Sequence, residues 1–418
     1  MTRHAFPEIN EWFNDLPDPR KQEMCVYSGA SMYGTGVQMF LSHSGSRNAF
    51  DVDRNAGVLP ENMLILSDQE WEEQRLGQRR TVTCSGNLIH HLSRIEHDAV
   101  AQIPLKMVRR LMKMRFFDDA LLFGRYLVLI DGTLQDRGRC VGDKQARYRY
   151  VVEAKLIGPE GTIFPLMTEF VDMRDPIRDK EDCELNGFMR LAKRLHNEFP
   201  RLSICLLMDG LYPVKRVLDL CHDYDWKFIA TLKEGRQPTT WDEAVQIMLS
   251  SELDYVRSHH KSEDGDVEQI CKWVEHIPVS GHELNIIFAS EVSSRAATLW
   301  CWVSNFYVDR ERIHAIVNGG GKRRGEIETV FNVQKNGGFG LEHTFCVNET
   351  AAKNLHIIMH IAWIIWQLFA NGVLRRITKA VRKVTDIALA EMLRTCLSFV
   401  RVPKDTPAIA QIRIMSSS

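Results

Sequence analysis

Two short apolar runs, each followed at once by aspartate and glycine, limit most strongly what this chain can fold into. Residues 126–130 (YLVLI) precede Asp131, and residues 203–208 (SICLLM) precede Asp209. Short continuous apolar runs rich in strand formers are typical of strands buried on both faces. Such strands belong to parallel or mixed sheets, whose parallel strands end at a common edge. The two runs therefore predict an α/β fold in which both aspartates lie at one sheet edge.

The sequence around these runs supplies the other elements of a mixed sheet flanked by helices. Residues 147–157 and 162–171 are separated by a short turn and predict two antiparallel strands beside the first run. Apolar residues at helical spacing over 185–199 and 214–221 predict two helices, and residues 226–232 predict a further buried strand. The expected order is three strands, helix, strand, helix, strand.

The length of 418 residues exceeds one ordinary compact core, so more than one domain is expected. Residues 1–120 predict a mainly helical N-terminal domain, and residues 121–372 predict the α/β domain. Polar turns and strand-like pieces at about 234–296 predict a β-rich insertion subdomain within it. Residues 373–418 predict a basic helical C-terminal segment and tail.

The composition limits the class of protein but says little about its activity. The chain is 44% hydrophobic and 26% charged with a net charge of −1, so a nucleic-acid site must come from local clusters of basic residues. None of the ten cysteines stands in a CxxC pair, which argues against structural zinc and disulfides and favours a reducing, cytoplasmic setting. Residues 357–370 are apolar but short and interrupted by His360 and Gln367, so they predict a buried helix and no membrane span.

A third stretch, residues 321–335 (GKRRGEIETVFNVQK), combines charge with an apolar anchor. In a helix, Arg324, Glu328, Phe331 and Lys335 share one face, whereas Glu326 lies roughly 200° from Glu328. The pattern also suits a solvated helix with i,i+4 ion pairs. An aspartate at a strand end likewise often serves only as a turn cap. From the residues alone these structural alternatives stay open.

Asp131, Asp209 and Glu328 together form a three-carboxylate hypothesis. Carboxylates that converge without a cation repel one another. Mg²⁺ prefers such hard oxygen ligands, and two ions about 3.5–4 Å apart can support an in-line phosphoryl displacement. The three residues therefore predict a magnesium site.

With these residues the sequence resembles the DDE transposases of bacterial insertion sequences, which have an RNase H-like catalytic core. One group of them carries, on the last catalytic helix, Tyr, two residues, Arg, three residues, Glu, six residues and Lys. Gly321, Arg324, Glu328 and Lys335 have this spacing, so three of the four positions match and Gly321 departs. The similarity extends over about residues 126–368.

The resemblance implies that the three carboxylates are catalytic and hold two Mg²⁺ ions, with Mn²⁺ able to substitute. It implies that Arg324 and Lys335 bind DNA phosphates, and the adjacent Lys322 and Arg323 are candidates for the same role. The Tyr of the family pattern helps to position the DNA end, so its replacement by Gly321 puts that contact in question.

The implied partners are double-stranded DNA, as terminal repeats and as target, and a second copy of the chain in a homodimer. The helical N-terminal domain would bind the DNA ends, and the protein would act in the bacterial cytoplasm at the nucleoid, without a membrane. The alternatives are an RNase H-like nuclease, a decayed copy that only binds DNA, and a metal phosphatase or nucleotidyltransferase acting on a small molecule.

Overall fold

The computed structural model describes residues 2–69, 81–136, 149–172, 180–235, 238–250, 253–262, 265–373 and 384–403. These residues contain nine β-strands, which are, in chain order, β1 (Tyr126–Asp136), β2 (Arg149–Ile157), β3 (Ile163–Asp172), β4 (Ile204–Met208), β5 (Lys227–Thr231), β6 (Tyr255–Ser262), β7 (Gly265–Val279), β8 (His282–Val292) and β9 (Ala297–Ser304). They form one open sheet in the order β3-β2-β1-β4-β5-β9-β8-β7-β6.

The α-helices of the described ranges precede, interrupt and follow this sheet. They are α1 (Thr2–Ala5), α2 (Ile9–Asn14), α3 (Gly29–Leu41), α4 (Arg47–Asp53), α5 (Leu59–Leu66), α6 (Ser85–Leu92), α7 (His97–Lys113), α8 (Lys180–Glu198), α9 (Lys215–Asp223), α10 (Pro238–Ser250), α11 (Ile313–Gly319), α12 (Glu326–Asn336), α13 (Glu349–Leu368) and α14 (Asp386–Phe399). The described part of residues 1–120 is thus mainly helical, and the predicted α/β class with a mixed sheet and flanking helices is confirmed.

The half of the sheet that carries the two aspartates mixes parallel and antiparallel pairs. β1 is parallel to β4, and β4 is parallel to β5. β2 lies antiparallel between β1 and β3. Helix α8 connects β3 to β4. Helix α9 connects β4 to β5, which are parallel neighbours and need a crossover that a tight turn cannot provide.

The strands predicted for the insertion belong to the same sheet. β9 pairs antiparallel with β5 through Ala230 and Val303, and β8, β7 and β6 follow as an antiparallel meander. The side chain of Trp273 on β7 is buried, and that of Trp241 on α10 packs partly buried against the core. Both tryptophans therefore stabilise this half of the molecule.

The predicted end of the first strand at residue 130 was wrong. β1 continues to Asp136 because β2 pairs with it as far as Asp136 and Arg149. Pairing between the parallel strands β1 and β4 nevertheless stops at Leu129 and Leu207. Asp131 therefore lies inside β1 but two residues beyond its last contact with β4. Asp209 lies two residues beyond the same point, so the two aspartates are level across the sheet.

Helix α13 confirms the buried helix predicted from the most apolar run. It begins after Asn348, whose side chain accepts a hydrogen bond from the N–H of Ala351 at 2.9 Å. Almost every side chain of α13 is buried, and the helix packs against α3, α7 and β3. Across the described ranges, no helix is long and apolar enough to cross a membrane. Residues 374–383, which hold most of the predicted basic C-terminal segment, lie outside the described residues.

Candidate active site

The three carboxylates predicted from the sequence meet at one cation, the guanidinium of Arg324. Its Nη2 lies 3.3 Å from Oδ2 of Asp131 and 3.9 Å from Oδ2 of Asp209. Its Nη1 forms an ion pair with Oε1 of Glu328. Residues in or just after two neighbouring strands, and a residue on a helix much later in the chain, are thus brought within reach of a single group.

Local hydrogen bonds orient the two aspartates towards this centre. Oδ1 of Asp131 accepts the N–H of Gly132 at 2.9 Å, and Oδ1 of Asp209 accepts the N–H of Leu211 at 2.8 Å. The second contact is the turn-capping role expected of an aspartate after a strand. Each side chain uses one oxygen for this purpose and presents the other to Arg324. The capping alternative and the site hypothesis are therefore compatible.

The stretch that carries Glu328 is not one continuous α-helix. Gly321–Gly325 forms a 3₁₀ turn, and α12 begins at Glu326. Arg324 and Glu328 still come together because the 3₁₀ turn leads directly into the first turn of α12. Glu326 points away and pairs with Nε of Arg323 at 2.8 Å. The geometry therefore separates the two glutamates as the helical phase predicted.

Phe331 docks α12 on the sheet. Its ring is buried, and the ammonium of Lys155 on β2 lies 4.9 Å from the ring centre. The amide of Gln334, one turn further along α12, is 3.4 Å from the same ammonium. The contacts of Phe331 and Gln334 with Lys155 hold α12 against the sheet and so fix the position of Glu328 relative to the sheet edge.

Burial and charge at the centre favour an additional cation. The side chains of Arg324 and Asp131 are 14% and 17% exposed, whereas Glu328 is 64% exposed. Burial raises the pKa of Asp131 to about 7; Arg324 opposes this, and the carboxylates of Glu184 and Asp209 add to it. Once Asp131 is ionised, three carboxylates face one guanidinium, and two negative charges are in excess. These hard oxygen donors and their excess negative charge are of the type that Mg²⁺ prefers, and in this structure the guanidinium of Arg324 contacts all three.

The other predicted DNA-binding residues already have acidic partners. Nζ of Lys335 lies 3.0 Å from Glu342, and Nζ of Lys322 lies 2.5 Å from Glu291. Lys322 also stands 5.0 Å from the ring centre of Trp300. Each of these lysines would have to exchange its carboxylate for a phosphate in order to contact DNA.

Gly321 stands where the transposases that the sequence resembles have Tyr, and this fold gives a steric reason for a glycine at that position. A Cβ atom at this position would lie 2.6 Å from the indole ring of Trp302. The ring of Trp302 is buried under the 3₁₀ turn on β9. Any side chain at residue 321 would therefore require Trp302 or the turn to move.

Sequence reasoning missed a fourth acidic residue beside the centre, Glu184 on α8. Its side chain is buried and accepts hydrogen bonds from the hydroxyls of Tyr150 and Tyr212, the second at 2.9 Å. It lies against the backbone of Gly132, next to Asp131. The available signal was a carboxylate near the start of an amphipathic helix that follows the third strand, a position where a carboxylate usually only stabilises the helix end.

A second polar cluster, not foreseen from the sequence, lies in the core under α13. Oε1 of Glu153 is 2.7 Å from Nε2 of His356 and 3.0 Å from Nε2 of His360. These three buried residues could hold a metal ion. The ammonium of Lys155, however, pairs with the other oxygen of Glu153. Because this pair already neutralises the carboxylate, a divalent ion would leave excess positive charge in the core. The cluster is better explained as an internal ion pair with two histidine donors.

Neither a protein-family model nor a curated protein matches this chain. The acidic centre and the residues around it thus support a reaction class, whereas a DNA substrate rests on the resemblance seen in the sequence.

Proposed function

We propose that the chain is a DNA transposase that uses metal ions to cleave strands at the ends of its own mobile element and to join them to target DNA. The observation that carries the proposal is the convergence of Asp131, Asp209 and Glu328 on one guanidinium at a sheet edge. The strand order β3-β2-β1-β4-β5, with β2 antiparallel, agrees with the RNase H-like core of the enzymes that the sequence resembles.

The residues of the centre divide into two roles. Asp131, Asp209 and Glu328 would hold two Mg²⁺ ions, for which Mn²⁺ can substitute; bound there, the ions would stabilise the attacking and leaving oxygens of a phosphodiester displacement. Arg324 now pairs with these carboxylates and offsets one of their negative charges. With the ions bound, its guanidinium would be available for a DNA phosphate, for which its planar donors are well suited. Water would be the nucleophile for cleavage, and the freed 3′-hydroxyl the nucleophile for joining.

The test is Mg²⁺-dependent cleavage and joining by the purified full-length chain on duplex DNA that carries the repeats flanking its gene. Asp131→Asn, Asp209→Asn and Glu328→Gln should each reduce both reactions to background while end binding, followed by gel shift, persists. Glu326→Gln is the matched control, because this carboxylate lies on the same helix but pairs with Arg323. Full activity in Glu328→Gln would refute the assignment of the third ligand.

The same assay separates the alternatives. An RNase H-like nuclease would cut DNA with and without the repeats equally well. A decayed DNA-binding copy would shift the repeat DNA but would not join a pre-cleaved 3′ end in Mn²⁺. Either result would overturn the proposal. The double-stranded DNA partner, the homodimer and the cytoplasmic, nucleoid-associated location belong to the same proposal and rest on the resemblance.

A further inference from the structure

The carboxylate of Glu184 occupies a site built by three separate segments of the chain. Tyr150 comes from β2, Gly132 from β1 and Tyr212 from the segment after β4. Both tyrosine side chains are buried, and their hydroxyls donate to different oxygens of Glu184. A carboxylate with two such donors is held in one orientation, because each hydrogen bond to a charged acceptor is stronger than a neutral one.

Two glycines allow this close approach. A Cβ atom on Gly132 would lie 2.2 Å from the hydroxyl of Tyr150 and 2.7 Å from the carboxylate of Glu184. On α8 itself, a Cβ atom on Gly187 would lie 2.8 Å from a methyl group of Val171 on β3. Helix α8 therefore sits low on the sheet, and Glu184 reaches a space that the absent side chain of Gly132 leaves open.

This arrangement connects the two aspartate segments. Gly132 directly follows Asp131 and donates its N–H to that side chain. Tyr212 lies three residues after Asp209, and its N–H is bonded to the Asp209 carbonyl at 3.3 Å. The carboxylate of Glu184 lies against the backbone of Gly132, beside Asp131. It also accepts a hydrogen bond from Tyr212, which follows Asp209. It therefore restricts the distance between Asp131 and Asp209 from the face of the sheet opposite α12.

Glu184 also adds a fixed negative charge beneath the centre. The hydroxyls of Tyr150 and Tyr212 both donate to this carboxylate and hold it in place. The carboxylate lies beside Gly132, the residue that directly follows Asp131. A buried carboxylate acts over a longer range than a hydrated one because little solvent screens it.

Resting on the proposed function, we infer that Glu184 is a positioning residue that sets the affinity of the acidic centre for divalent cations. It acts through Asp131 and Asp209, by fixing their separation and by adding negative charge. Groups that orient metal ligands typically change metal affinity about 10- to 100-fold when they are removed. Glu184→Gln keeps the shape of the side chain but removes the charge, and it should weaken Mn²⁺ binding about tenfold or more.

The experiment is a titration of the full-length chain with Mn²⁺, followed by electron paramagnetic resonance of the free ion. The binding that disappears in Asp131→Asn is assigned to the acidic centre, which excludes ions bound elsewhere. Tyr212→Phe retains the charge of Glu184 but removes one donor, and should weaken the same binding several-fold. Glu198→Gln is the matched control: it removes the same charge from the same helix, about 21 Å away along its axis, and should leave Mn²⁺ binding unchanged.

The outcomes separate this inference from the proposed function. If Asp131→Asn abolishes Mn²⁺ binding but Glu184→Gln and Tyr212→Phe bind like the wild type, Glu184 has no positioning role and the inference fails alone. If the wild type and Asp131→Asn bind Mn²⁺ equally, no metal centre exists and both conclusions fail. A purely structural role would lower the urea midpoint and leave Mn²⁺ affinity intact, which also contradicts the inference. If Glu184→Gln does not fold, Tyr212→Phe decides the question.

Discussion

Replacing Lys155 by methionine tests how the core of this protein tolerates charge. The side chains of Lys155 and Glu153 are both 0% exposed, and their charges pair directly. Burial works to raise the pKa of Glu153, but Lys155 and the two histidines of α13 hold it well below its ordinary value. Methionine matches the length of the lysine stem and keeps the contact with Phe331, so Lys155→Met removes the charge with little change of volume.

The expected cost follows from the charge that is left behind. Removing one partner of a buried ion pair leaves an uncompensated charge and typically costs about 3–5 kcal/mol. In the double variant Lys155→Met/Glu153→Gln no charge remains, and the amide oxygen can still accept from His356. We therefore expect the double variant to be more stable than Lys155→Met alone by about 2 kcal/mol or more.

The loss of stability in Lys155→Met should also depend on pH, in a direction that the histidines determine. Burial lowers the pKa of His360 to about 4, Glu153 opposes this, and Lys155 adds to it. Without Lys155, the pKa of His360 rises and a proton on its ring can replace the missing charge. The destabilisation of Lys155→Met should therefore be largest above pH 7 and shrink as the pH falls towards 5.

Equilibrium urea unfolding at pH 8 and pH 5 measures both effects. Lys353→Met is the matched control, because this lysine on α13 pairs with Glu349 at the partly exposed surface. Such a surface pair contributes at most about 1 kcal/mol. The reasoning is refuted if Lys155→Met costs no more than Lys353→Met, or if the effects of Lys155→Met and Glu153→Gln simply add.

Three further predictions concern packing, protonation and hydrogen bonding, and urea unfolding tests each. Gly321→Ala should destabilise the protein by about 1–3 kcal/mol because its Cβ meets Trp302, whereas Gly325→Ala, with open space around it, should be neutral; equal effects would contradict the steric account. Burial lowers the pKa of His43 from 6.5 to about 4, so its contribution to stability is present above pH 6.5 and is lost as the pH falls through 4. His43→Phe should remove about 2–3 kcal/mol of the acid sensitivity measured between pH 7 and pH 4.5, and an unchanged difference would contradict this. Asn354→Leu should cost about 2–4 kcal/mol because its amide donates to two buried carbonyl oxygens, at 2.8 and 2.7 Å; a cost below about 1 kcal/mol would show that water replaces it.

The sequence by itself determined the local elements and their order. Continuous apolar runs located β1, β4 and α13. Helical spacing located α8 and α9, because burial of one helix face imposes a short-range period on the residues that form it. The same reasoning identified Asp131, Asp209 and Glu328 as the residues to examine. Their assignment as metal ligands remains a prediction that the mutational assay will test.

Only the tertiary structure decided which contacts join residues that are distant in sequence. Arg324 reaches Asp131 across 193 positions of sequence, and Glu153 reaches His356 across 203. No periodicity links such residues, because their proximity depends on the pairing of strands and on the depth at which each helix packs. Glu184 was overlooked for this reason: its role depends on the space above Gly132, which exists only once α8 rests on the sheet. The sequence thus identified the three carboxylates, and the packing of strands and helices brought them into contact with Arg324.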